Sequence, residues 1–429
     1  MESRGLTAAM LAVLLLCFVT PVAFSAGTQE AAGGDDEQVT ITWGMWAATD
    51  TEVAQWQELA DDVTERYPHI TVRLETTGWN PYWTRMQTQI ASDTLPDVVG
   101  MQSLRAYGYY SLGGFRSLTP FIANDAEIDM GDYDPFMIEA LSYGGEIYGL
   151  PYDAGPRVLF YNIDLFEARG VEPPDGDTTW EEWVEIAGAL TDGDTYGFAA
   201  VAIIDEALSW IASAGGRYFD TETERYDLTD PGTEVGLQFF ADLMNRYRVV
   251  RPIDDPGNGD FAREQFYTGT IGMINDGPWQ ATNIRANADF RVGMAPLPVG
   301  PAGRRTPIAG SGFAMSAATE HPEEAYLVIK SLTGSESLSK LARWGRGFPA
   351  RRSAVESFYA GQEAMEGLSW IEESLPHSFA QLGPQHYQEF QNVFNQELEA
   401  LLLGLTDDAG AVLREITRRA NAFTDVRAF

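Results

Sequence analysis

Lysine is nearly absent: of 28 basic residues among 429, two are lysine (Lys330 and Lys340) and the other 26 are arginine. No Gly-x-x-x-x-Gly-Lys-Ser/Thr loop occurs, so a P-loop nucleotide site is excluded. Gly345-x-Gly347-x-x-Ala350 imitates the dinucleotide spacing but carries Pro349 inside the stretch that would have to start a helix. Four histidines (His69, His321, His377, His386) include no His-Glu-x-x-His pair, which argues against a zinc site and a histidine-based triad. Cysteine occurs once, at Cys17. Positive charge is scarce as well: 63 acidic against 28 basic residues leave a net charge of -35 and a pI near 4.3. Nucleic acid is therefore no partner, because phosphate needs a basic face. An acidic, lysine-poor surface suits a saline habitat, and arginine-for-lysine usage also follows from GC-rich coding; both readings stand. What the chain does have is 45% hydrophobic and 12% aromatic residues, with 11 Trp. That is too apolar for an acidic disordered chain, and the length suggests two or three ordinary domains.

Residues 1–25 have the layout of an export signal. Arg4 supplies the positive start, Leu6 to Val19 is apolar, and Ala23-Phe24-Ser25 offers small residues for cleavage before Ala26. Thr20 and Pro21 interrupt the run below membrane-spanning length, and no later stretch reaches it. The rival reading is a lipid anchor on Cys17, against which Leu16 is a poor fit at the preceding position. Cleavage after Ser25 leaves a protein with no thiol, exported to the periplasm or cell surface. It removes one acid (Glu2) and one base (Arg4), so the charge stays at -35. Residues 26–37 are small, polar and acidic, and read as a flexible tether.

From Val39 the pattern is that of an α/β protein. Val39, Ile41, Trp43 and Met45 alternate as a strand, and Thr49 to Thr51 can cap a helix running to Tyr67. Ile70, Val72 and Leu74 make a second strand, Tyr82 to Ser92 a second helix, and Asp97 to Met101 a third strand. This β-α-β-α-β run predicts a parallel sheet, with ligands beyond the C-terminal strand ends. Those ends carry Trp46, Asp50, Trp79, Asn80, Tyr82 and Gln102. Aromatic faces beside carboxylates and amides suit a polyhydroxylated ring, whose CH faces stack while its hydroxyls donate. Further on, Gly149 to Asp153 reads as an extended crossing segment, Val158 to Asn162 and Thr195 to Ile204 as strands, and Thr179-Trp180-Glu181-Glu182 as a capping box. Thr233 to Tyr247 and Pro322 to Leu332 read as helices, and the last 80 residues are mostly helical.

The stretches Thr42-Trp43-Gly44-Met45-Trp46, Leu95-Pro96-Asp97-Val98-Val99, Gly149-Leu150-Pro151-Tyr152-Asp153, Thr179-Trp180-Glu181-Glu182-Trp183, Phe266 to Met273, Gly277-Pro278-Trp279 and Gly347-Phe348-Pro349-Ala350-Arg351 follow one another in a telling order. In that order the chain resembles the sugar-binding family of extracellular solute-binding proteins of ABC importers, the family that includes maltose-binding protein. The resemblance implies a two-lobed periplasmic-binding-protein fold of type II, with the ligand in a cleft between lobes joined by crossing segments. It puts residues 38–150 and 297–332 in the first lobe, and 151–296 and 333–429 in the second. It implies cleft positions at Trp46, Asp50, Asn80, Gln102, Tyr152 and Asp153, and at Trp210, Asp276, Trp279, Gly312 and Arg346. Trp279 and Tyr152 would stack on a sugar, Asp153 and Asp276 would accept from hydroxyls, and Arg346 would donate twice. Trp79 and Tyr82 would lie in a variable loop. It further implies hinge closure on a carbohydrate, delivery to a membrane permease, action as a monomer, and neither cofactor, metal nor catalytic residue.

The rival of another class is an exported glycoside hydrolase or lyase, which needs two carboxylates at a set separation. With 63 acids their mere presence says nothing. A structural surface protein is disfavoured because no repeat is found, and a polyamine is a lesser alternative to the sugar.

Overall fold

Val39, Ile41, Trp43 and Met45 lie on the buried face of β1 (Val39–Trp46), as their alternation predicts. The computed structural model describes residues 38–47, 49–220, 222–223, 225–254, 260–362, 365–383 and 386–425, setting aside the side chains of Asn80, Thr424 and Asp425. The export signal, Cys17 and the tether thus lie outside the described residues. Helix α1 (Asp50–Arg66) starts where the Thr49 hydroxyl accepts the Glu52 N–H, and it buries Trp56, Leu59, Ala60 and Val63 against the sheet. Larger side chains such as Leu59 and Val63 each contribute roughly 1.5–3 kcal/mol by leaving water. Then come β2 (Ile70–Thr77), α2 (Trp79–Ala91), β3 (Val98–Gln102) and α3 (Ser103–Tyr110), with the short strands β4 (Phe115–Arg116) and β5 (Gly149–Pro151). Strands β2 and β3 flank β1, both parallel to it, so Trp46 ends level with Thr77.

The chain then leaves this sheet through β6 (Gly155–Pro156) and enters a second with β7 (Val158–Asn162). Helix α4 (Trp180–Leu190) opens on the expected Thr179–Glu182 capping box. It is followed by β8 (Tyr196–Ala199), α5 (Ile204–Ser213), α6 (Pro231–Asn245), β9 (Ile271–Asp276) and β10 (Val292–Ala295). The sheet runs β8-β9-β7-β10. Return is through β11 (Thr306–Ala309) to β12 (Ser311–Ser316), which completes the first sheet in the order β2-β1-β3-β12-β4, with β5 alongside β12. Helices α7 (Pro322–Leu332) and α8 (Ser335–Arg343) follow, then β13 (Ser378–Ala380), α9 (Tyr387–Leu402) and α10 (Ala409–Asp425).

Two differences from the sequence reading stand out. The first sheet is mixed, because β12 returns antiparallel to β3; in the second, β7 runs antiparallel to both β9 and β10. The strand predicted from Thr195 to Ile204 stops at Ala199, since Ile204 already opens α5. Across the lobe division expected at 332/333, Leu338 and Leu341 of α8 pack in the first core with Trp56 and Phe313, and Ala342 of the same helix packs in the second. Lys340 Nζ also reaches Glu58 at 3.0 Å and Asp62 at 2.7 Å on α1. Phe390 and Phe394 of α9, with Leu413 and Ile416 of α10, belong to the second core.

Between the two sheets lies a third, of three short strands in the order β13-β11-β6. Its members come from three separate passages of the chain, with β11 antiparallel to β6 and parallel to β13. In the second core, α5 and α6 approach until backbone meets backbone. A Cβ added at Gly236 would come within 2.4 Å of Ile211 Cα.

Candidate functional site

The C-terminal ends of β1 and β3 and the start of β12 meet on one edge of the first sheet, with Ser311 opposite Gln102. Trp46 ends β1, and Trp79, Tyr82 and Trp83 share one face of the first turns of α2, as positions i, i+3 and i+4 must. Trp79 and Tyr82 thus begin a helix rather than lying in a loop. The Trp46 ring meets those of Trp79, Tyr82 and Trp83 at 5.1, 5.3 and 5.5 Å between centroids. Tyr82 is anchored by its hydroxyl, which donates to Gly100 O at 2.7 Å, and burial raises its pKa. Trp79 keeps 38% of its surface exposed. Arg105, in the first turn of α3, lies 4.8 Å over the Trp83 ring and 5.5 Å from that of Trp79. It donates to Gln102 Oε1 and, from the other end of its guanidinium, to Gln388 Oε1 of α9 at 3.2 Å.

The second core brings polar groups to the same junction. Asp205, in the first turn of α5, accepts from Gln381 Nε2 at 3.0 Å and from the Tyr387 hydroxyl at 3.2 Å. Gly108 N–H donates to Gly383 O at 2.9 Å, and the rings of Tyr107 and Phe219 meet at 6.2 Å. One turn along α5 from Asp205, Leu208 lines a cavity of about 360 Å³ together with Tyr218, Phe219, Arg305, Phe379 and Leu382.

The crossing segments hold another group of the expected residues. Asp153 is buried and accepts the Ser311 N–H at 2.5 Å. Burial pushes its carboxyl up to about 7, opposed by that N–H and by Arg346. The Trp279 indole, half-buried, lies against Gly277 and Gly155, where an added Cβ would come within 2.1 and 3.0 Å of the ring. Asp50 opens α1 and is exposed, and the Asn80 side chain is outside the described residues.

Five expected site residues make contacts within the protein. Trp210 is 1% exposed, ringed by Trp180, Trp183, Phe198 and Phe240 in the second core. The same apolar stripe of α5 carries Ala207 and Ile211, and Asp205 leaves it for the junction. Tyr152 is 5% exposed and stacks on Phe313 at 5.1 Å with Trp56 edge-on, so it offers a sugar little face. Gly312 lies inside the sheet, where an added Cβ would strike Leu150 O at 2.4 Å. Asp276 accepts from Arg263 at 2.6 Å and from the Gly277 N–H at 2.8 Å. Arg346 forms an ion pair with Glu52 and lies 5.2 Å over Trp56, while its Nε is buried without a hydrogen bond.

Sequence reasoning missed Trp83, Arg105, Asp205, Gln381, Tyr387 and Gln388. The helical spacing of Trp79, Tyr82 and Trp83 could have found the first. The groups gathered at the junction are π faces, amides, a guanidinium and a carboxylate, which is the equipment for holding a ligand by stacking and hydrogen bonding.

Comparison with known proteins agrees with this architecture. The sequence pattern described as bacterial extracellular solute-binding protein matches residues 47–338. The lactose-binding protein of Rhizobium radiobacter is 26% identical over 294 residues, 67% of this chain and 64% of that protein. The arabinooligosaccharide-binding protein of Bacillus subtilis is 22% identical over 348 residues, 76% of each chain. Among solved structures, the ABC substrate-binding protein of Listeria monocytogenes in complex with cycloalternan superposes with a TM-score of 0.80 at 22% identity, covering 90% of this chain and 99% of that one. Its likeness gives the fold: two lobes in the type II periplasmic-binding arrangement.

Proposed function

Because the chain belongs to the bacterial extracellular solute-binding protein family, we propose that it captures a sugar or oligosaccharide and delivers it to the membrane permease of an ABC importer. The observation that carries this reading is the wall of Trp46, Trp79 and Trp83 beside Gln102 and Arg105, facing Asp205 and Gln388 where three crossing strands join the two sheets. The ligand would lie on that wall, and its contacts to both lobes would favour the closed form. Trp279, Asp153, Gln102, Asp50 and Asn80 remain candidate contacts around it. The protein acts as a monomer, exported by residues 1–25, and leaves the ligand's covalent bonds intact.

A thermal-shift screen against mono- and oligosaccharides tests this. A ligand at 100 times its dissociation constant adds about 2.7 kcal/mol of stability. X-ray scattering with the best ligand should show a smaller radius of gyration. Scattering curves identical with and without every saccharide, or cleaved glycosidic bonds after incubation, would reject the reading.

A further inference from the structure

Among the described residues Arg105, like the buried Arg157 beside β6, which donates to Asn275, pairs with no carboxylate, and of the two only Arg105 lies on the tryptophan wall. Arg346 pairs with Glu52, Arg351 with Asp132 and Arg263 with Asp276. Arg105 is held instead by two amide oxygens, of Gln102 and Gln388, and by the faces of Trp83 and Trp79. Among the described residues no carboxylate lies within ion-pairing distance of it, in a chain with 63 acidic residues. Asp205 acts on it only from further away, its own oxygen being engaged by Gln381 and Tyr387. Burial disfavours the Arg105 charge and lowers its pKa. A half-buried cation among neutral partners has less of the compensation that an anion provides. A guanidinium has five N–H donors, of which the two amides take two, and its planar fork matches a carboxylate. Trp79, half open beside it, is placed to take the CH face of the ring that bears such a group.

We propose that the ligand is an acidic saccharide, a uronic acid or an oligomer containing one, whose carboxylate pairs with Arg105 while its ring packs on Trp79. This deepens the saccharide reading above and rests on it. The overall charge of -35 does not oppose it decisively. At physiological ionic strength, charges further apart than about 8 Å are largely screened, whereas a contact pair in a partly dry site is not.

The test is isothermal titration of the purified protein with galacturonate oligomers, their methyl esters and neutral galactose oligomers. The esters keep the shape and lose the charge. The acid should bind at least about tenfold tighter than the ester, as one charge-assisted bidentate contact warrants, and its affinity should fall with added salt. In Arg105→Gln the two should bind alike. In Arg105→Lys, which keeps the charge without the fork, the preference should shrink but persist, and this variant serves if Arg105→Gln fails to fold. Ester binding as tight as acid binding in the wild type overturns the inference and leaves the saccharide reading standing, as does a preference that survives in Arg105→Gln. Silence toward all three ligand sets and every other saccharide overturns both.

Discussion

Glu206 is fully buried on α5, with one carboxylate oxygen accepting the Val201 N–H at 2.9 Å and the other, Oε1, without a hydrogen bond. Burial pushes its pKa up to about 8, against an ordinary value of 4.5, with Arg157 pulling the other way. The folded protein therefore holds this proton where the unfolded chain has released it. As pH rises from about 4.5 to about 8 the native state loses stability from this group, and the loss levels off above that. Glu206→Gln should remove this slope, so urea midpoints of the variant should gain on the wild type between pH 5 and 8 (roughly that window). Parallel pH profiles for the two proteins would refute the assignment. At the junction, Trp79→Ala should weaken ligand binding by roughly 1–3 kcal/mol, as loss of one stacking anchor does, while the partly exposed ring leaves the melting temperature nearly unchanged. Unaltered affinity would take Trp79 out of the site.

At the scale of elements, helix contact in the second core depends on a missing side chain. A methyl group at Gly236 would have to share space with Ile211 Cα and Trp210 O. Both are backbone atoms of α5 that cannot rotate away. Gly236→Ala should therefore destabilise the protein by roughly 1–3 kcal/mol or more despite the better helix propensity of alanine, as chemical denaturation would show. An unchanged midpoint would mean that α5 and α6 slide apart freely. The elements that could be read from sequence are those with a local period. Strand β1 alternates, α1 carries Trp56, Leu59 and Val63 on one stripe, and Thr179 with Glu182 announces α4. The crossing sheet had no such signal: β6 is Gly155–Pro156, and it becomes a strand only by pairing with Ile308 and Ala309, some 150 residues on. Period also fails to separate a core face from a cleft face. Trp210 and Asp205 sit on the same short helix, and only packing shows which of them turns inward. The Arg105–Gln388 contact spans 283 residues of chain, so nothing near either residue betrays it.

Over the whole molecule, the excess of negative charge sets a salt response. Surface ion pairs such as those of Lys340 and Lys330 weaken in salt, but each contributes only about 0–1 kcal/mol. The repulsion within a net charge of -35 is the larger effect. The screening length shrinks from about 30 Å at 0.01 M to about 3 Å at 1 M, so the melting temperature should rise with sodium chloride over that range. A falling melting temperature would mean that the ion pairs outweigh the repulsion. Both lysines stand on helices of the first core, Lys330 against Asp125 and Glu127 on α7, Lys340 against Glu58 and Asp62 on α8. Apart from the chain's own amino terminus, amine-directed coupling can therefore fasten the protein to a bead or a sensor chip only through helices of the first core. The second core carries no lysine, so such coupling leaves it untethered.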